Sequence, residues 1–221
     1  MSIQGEVIPM FFVPLYTGKV EITPEEQRCV TDQLKYERNG WGGNDISSNK
    51  HLHQVDHPLL QSLHNKILDH IRNLLYNHLK IGEDLVRPLL IGSWALKCHP
   101  GEQQLRHSHP GCIFSGVLYI KCLPNCGDIV FSEPYKGMNF LDDTFQCGVS
   151  QLTELTQTEK SWAPSTGDIV IFKSEIDHHV TPNDSNDIRY SLAFDAWLDG
   201  DFSNPMHDKY VAVTSNKDYA R

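Results

Sequence analysis

The spacing of apolar positions changes near residue 80. Before it, Leu60, Leu63, Ile67, Ile71 and Leu74 recur at three- and four-residue intervals, which predicts a helix from about Asp56-His57-Pro58 to Leu79. His57, His64, His70 and His78 fall on its other face, expected at the surface. An earlier helix starts at Thr23-Pro24-Glu25-Glu26: threonine caps, proline takes the first helical position, and Glu26 can reach back to the cap. It is expected to run to about Arg38 and stop at Asn39-Gly40, followed by a loop from Trp41 to Lys50. The run Val7 to Leu15, broken by two prolines, reads as a first strand docked on the core.

After Lys80 the pattern turns to short β-branched and aromatic runs bounded by Gly, Pro, Asn and Asp. These are Leu89 to Cys98, Ile113 to Lys121, Asp128 to Phe131, Asp168 to Phe172 and Ile188 to Trp197. Met138 to Trp162 reads as a long loop with one hairpin, and the tail after Asp199 as a polar surface segment. Two helices followed by many short strands predict a mainly β protein, a jelly-roll core with the N-terminal helices packed on one sheet. The 221 residues read as a single domain: strand and helices over 1–80, the core over 81–198, the tail over 199–221.

Charge and cysteines narrow the class. The net charge of −9 argues against a nucleic-acid partner. The six cysteines are irregularly spaced and read as reduced thiols; Cys122 and Cys126 flank a Leu-Pro-Asn turn but lack the further partners a zinc site needs. No secretory signal and no membrane-spanning run is found, so a cytoplasmic protein is expected (host cytoplasm if a phage encodes it).

The candidate chemistry lies in Arg106-His107-Ser108-His109-Pro110. On a strand, His107 and His109 point to one face. A third ligand is expected from His178 or His179; neighbours on a strand face opposite sides, so only one can join, and Asp177 competes. Iron(II) suits imidazole and oxygen ligands grouped on one side with open positions opposite. Further on, Arg189 and Ser191 share one face of a strand, where a guanidinium fork and a hydroxyl can hold a carboxylate. The plainer alternatives are polar loop histidines, in a chain with twelve, and an Arg189 paired to Asp187 or Asp195.

These blocks resemble a known family. Gln104 to Pro110 with Phe114-Ser115-Gly116-Val117-Leu118-Tyr119-Ile120 is similar to the 2-oxoglutarate/iron(II) oxygenases found widely in marine bacteria and their phages. Phe172-Lys173-Ser174, His178, Val180 and Pro182-Asn183 resemble that family's second block in register, which favours His178 over His179. Arg189-Tyr190-Ser191-Leu192 resembles the Arg-x-Ser strand of the prolyl-hydroxylase-like superfamily, and Trp41-Gly42 a Gly-Trp near the family's N-terminus.

The resemblance implies a double-stranded β-helix in which His107, His109 and His178 hold Fe(II). Arg189 and Ser191 would bind the distal carboxylate of 2-oxoglutarate, with Tyr119 and Gln104 lining the co-substrate pocket. It implies hydroxylation of a small-molecule or peptidyl substrate, with release of succinate and carbon dioxide. Departures are His109 at the usual carboxylate position, Lys173 for a frequent proline, and Asp195 for a common asparagine. The rival readings are a three-histidine dioxygenase that does not use 2-oxoglutarate and a non-catalytic jelly-roll binding module.

Overall fold

The computed structural model describes residues 13–40, 43–133, 151, 153, 157–201 and 212–213. Residues 7–12 of the first strand expected over Val7 to Leu15, Trp41-Gly42, most of the Met138 to Trp162 segment and the tail after 201 lie outside them, apart from residues 212–213; residues 13–15 are not strand, and the first described strand begins at Tyr16.

Among the described residues, twelve strands form two antiparallel sheets. The strands are β1 (Tyr16–Lys19), β2 (Tyr36–Arg38), β3 (Asp45–Ser47), β4 (Val86–Cys98), β5 (Gln104–His107) and β6 (Phe114–Lys121). Then come β7 (Ile129–Ser132), β8 (Glu159–Trp162), β9 (Asp168–Lys173), β10 (His178–Val180), β11 (Arg189–Asp201) and β12 (Ala212–Val213). The large sheet runs β1-β9-β6-β11-β4-β3-β2, with β12 also on β11; the small one runs β5-β10-β7-β8. This is the mainly β, double-sheeted architecture the strand runs predict.

Strand alternation separates two cores. Leu118, Ile120, Ile169, Ile171, Leu192 and Phe194 face the helices, whereas Tyr119, Val170 and Phe172 face the small sheet with Ile129 and Ile176. The helices are α1 (Pro24–Arg28) and α2 (Pro58–Arg72), both extended by wider π turns, through Gln33 and His78. Leu60, Leu63, Ile67, Ile71 and Leu75 are each at most 1% exposed on the outer face of the large sheet. Each stabilises the packing by about 1.5–3 kcal/mol relative to an exposed side chain.

The capping box is present: Thr23 Oγ1 accepts from the Glu26 N–H, and the Thr23 N–H donates to Glu26 Oε2. Glu26, 2% exposed, also pairs with Lys66 at 2.7 Å and accepts from Ser62, which ties α1 to α2.

Three sequence expectations need correction. The first helix does not reach Arg38, because Leu34 is extended and Tyr36–Arg38 pairs with Asp45–Ser47. That hairpin also puts a strand inside the expected 41–50 loop. The histidines of α2 are not a surface row: His64 is 5% exposed with Nε2 2.8 Å from Ser93 Oγ, and His70 Nδ1 meets Tyr16 Oη at 2.8 Å.

Candidate active site

His107 ends β5 directly opposite His178 on β10, and their ring centroids are 4.4 Å apart. His109 lies just beyond the strand, where its backbone N–H donates to Ser174 O at 2.9 Å. Its ring centroid is 5.1 Å from that of His107 and 5.3 Å from that of His178. One ligand nitrogen from each of the three lies within 4.8 Å of the others, and no other such group occurs among the described residues. His179 is turned away from this group and Asp177 takes no part in it.

Each imidazole is oriented through Nδ1. His107 donates to Leu105 O at 2.7 Å and His178 to Ile176 O at 2.9 Å. His109 Nδ1 meets Asp195, 3.1 Å from Oδ1 and 3.3 Å from Oδ2. With Nδ1 protonated and held, each Nε2 keeps its lone pair, the arrangement metal-ligating histidines adopt. Burial pushes the His178 imidazole down to about 3, assisted by His107, and burial likewise lowers His107. His107 and His178 are thus suited to bind a cation as neutral bases.

Asp195 supplies the charge that three imidazoles lack. Burial acts to raise its carboxyl, but bonds from His109 and from Ser115 Oγ at 2.7 Å outweigh that and hold it below the usual range. The expected departure at position 195 therefore serves the cluster from one layer out. Trp94 stacks on His109 with ring centroids 5.7 Å apart and planes 18° apart.

The cluster opens onto a cavity of about 550 Å³, within the usual size of small-molecule sites. Its inner wall is apolar: Leu96, Val117, Ile129, Phe172, Val180 and Ala193. Gln104 is part of this lining, but Arg189, Ser191 and Tyr119 are not. Arg189 and Ser191 continue the β11 face of Ala193 and Asp195, with Tyr119 opposite Ser191 on β6. All three are buried, and burial pushes the Tyr119 phenol up.

Arg189 is 3% exposed and donates from Nη1 to Cys126 O at 2.7 Å and Gly127 O at 3.3 Å. No carboxylate among the described residues pairs with it: Asp187 is taken by Lys121 at 2.7 Å and Asp195 by His109. The alternative of an edge arginine neutralised by either aspartate is therefore excluded. A buried guanidinium with spare donors calls for an anion.

Trp94 and Asn44 escaped the sequence reading, since a tryptophan on a strand looks like core and a lone asparagine like a turn. Their only signal is register, with Trp94 opposite Ala193 and the hairpin strand β3 paired to β4 at Asp45.

Comparison with known proteins places this geometry in a class. Residues 92–195, a little under half of the chain, match the family described as "Putative 2OG-Fe(II) oxygenase". That segment carries His107, His109, Ser115 and Asp195 as well as His178 and Arg189. The protein is thus an enzyme of the 2OG-Fe(II) oxygenase class, with iron and 2-oxoglutarate as its cofactors.

Solved structures share the fold. The alpha-ketoglutarate-dependent epimerase SnoN from nogalamycin biosynthesis aligns with a TM-score of 0.58 at 12% identity, covering 93% of this chain and 92% of its own. The Trichoplax adhaerens prolyl hydroxylase, in complex with a hypoxia inducible factor peptide, aligns at 0.54 and 10% identity over 83% of each chain. HygX from Streptomyces hygroscopicus, with nickel, 2-oxoglutarate and hygromycin B bound, gives 0.52 at 12% identity, covering 84% of this chain and 83% of its own. No curated protein matches the sequence. No helix among the described residues is long and apolar enough to cross a membrane.

Proposed function

We propose that the protein hydroxylates a small-molecule or peptidyl substrate, with His107, His109 and His178 holding Fe(II) through Nε2 and Arg189 with Ser191 holding the distal carboxylate of 2-oxoglutarate. The carrying observation is the orientation of the three rings, each with Nδ1 bonded away from the shared centre. Bound iron and 2-oxoglutarate supply the oxidising chemistry, in which dioxygen is consumed, succinate and carbon dioxide leave, and a C–H bond becomes C–OH.

The chain's own residues have three tasks. Leu105 O, Ile176 O and Asp195 fix the ligands before metal arrives. Arg189, held on the Cys126 and Gly127 carbonyls, keeps a buried positive charge on the β11 face that continues from the cavity wall. Leu96, Val117, Ile129, Phe172 and Val180 keep the co-substrate's surroundings dry. The described cavity stops short of Arg189, so 2-oxoglutarate binding is expected to move side chains between Ala193 and Ser191.

The test is an anaerobic titration of the Fe(II) protein with 2-oxoglutarate, read as a visible charge-transfer band. The band should form in the wild type and vanish in His178→Ala. Succinate should then form one for one with hydroxylated product once a substrate is supplied. Turnover without succinate would point to a dioxygenase that does without 2-oxoglutarate, and indifference to iron to a binding module.

A further inference from the structure

Apart from the apolar wall, the cavity has a polar, partly exposed region. Its wall comes from the β2–β3 hairpin and the segment after it, together with Gln104 on the edge strand β5. Lys50 and His51 stand there, and Asp195 is the only carboxylate among the described residues of the lining. Asp195 is already bound to His109 and Ser115. Lys50 makes no ion pair among the described residues. In a chain of net charge −9, the described entrance therefore carries only positive and neutral groups.

Gln104 adds a directional donor. Asn39 Nδ2 donates to Asn44 Oδ1 at 3.4 Å, and Asn44 Nδ2 donates to Gln104 Oε1 at 2.7 Å. Asn44 is fully buried, so it has no solvent to satisfy it instead. The relay fixes the Gln104 amide with its oxygen used and its NH₂ group without a partner among the described residues. An amide held this way selects an acceptor and not a donor.

We infer that this polar region is an anion subsite for the primary substrate, taking a carboxylate or phosphate group between Lys50, His51 and the Gln104 NH₂. The assignment rests on the oxygenase reading, because it separates this subsite from the co-substrate's place at Arg189. The substrate is then an acid whose apolar part reaches inward past Ile46 and Trp94 toward the three histidines. An exposed lysine on the rim raises the arrival rate of such an acid, while the oriented amide sets its pose. A neutral or cationic substrate would leave the Gln104 donors unmet or repel Lys50.

The test uses three probes on the anaerobic Fe(II) protein with 2-oxoglutarate: 4-phenylbutanoate, its uncharged amide, and phenyl phosphate. Binding is read by calorimetry. The visible band of the wild type, recorded first, reports on the oxygenase reading alone, and the probes are titrated whether or not it forms. At least one anion should bind tenfold or more tightly than the amide, and which one it is tells carboxylate from phosphate. That preference should be lost in Lys50→Glu and retained in Lys50→Arg, with Gln104→Leu weakening the anion severalfold. Because Lys50 is exposed, its variants keep the fold, and circular dichroism checks the fold of Gln104→Leu. Equal binding of amide and both anions, or a Lys50→Glu protein that binds them as the wild type does, would overturn the assignment.

Discussion

Asp195 accepts the Nδ1–H of His109 at 3.1 Å and so sets a negative charge against one of the three imidazoles we propose as iron ligands. Outer partners of this kind contribute about 10–100-fold to metal affinity. Asp195→Ala should lower Fe(II) affinity by that order in a chelator competition, with the fold intact by circular dichroism. Asp195→Asn keeps a hydrogen-bond acceptor but not the charge, and should fall between the two. Unchanged affinity in Asp195→Ala would mean that the pair merely packs.

The bracing bonds of Arg189 and its proposed part in binding 2-oxoglutarate can be measured apart. Its bonds to Cys126 O and Gly127 O brace a loop, and their loss should cost about 1–3 kcal/mol of stability. Its unneutralised charge should contribute about 2–5 kcal/mol to binding a buried carboxylate. Arg189→Lys should therefore keep part of the 2-oxoglutarate affinity, and Arg189→Ala should lose more than about thirtyfold, read from the band titration. Equal 2-oxoglutarate affinity in wild type and Arg189→Ala would remove the clamp.

The parts of this architecture legible in sequence were those with strong periodicity or a local motif. Thr23 to Glu26, the α2 stripe and the long strands β4, β6 and β11 carry their own signals. The hairpin Tyr36–Ser47 did not, since its strands are three residues each and owe their form to pairing with β4. The meeting of His107 and His178 was readable because a cross-strand pair needs only strand parity and a matching block. The place of His109 was not: it sits past the strand end, set by Ser174 O, Trp94 and Asp195 from distant parts of the chain.

Gly116 explains why a glycine stands between Ser115 and Val117. A Cβ there would run into the Phe194 ring and lie 2.5 Å from Val170 O. The neighbouring β11 strand and β9 backbone leave no room for it to shift. Gly116→Ala should destabilise by about 1–3 kcal/mol, which lowers Tm by roughly 2–4 °C per kcal/mol in a chain of this size. A Tm equal to that of the wild type would show that the strand can move aside.

Acid should weaken the metal-free fold through histidines that burial keeps neutral. Burial, with a smaller contribution from His53, lowers His64 from 6.5 to about 4; burial and then His107 lower His178 to about 3. A base whose folded pKa lies below its unfolded value takes up its proton first in the unfolded chain. The stability is thus fully present above about pH 6.5 and is lost as pH falls, until His64 protonates in the fold near 4 and His178 near 3. Within that window each site removes at most about 1.4 kcal/mol per pH unit. Urea midpoints of the metal-free protein should decline from pH 6.5 to 4.5, and His64→Gln should make the decline shallower while keeping a hydrogen-bond partner for Ser93. A midpoint that stays level over that range would show that neither imidazole is held neutral by the fold.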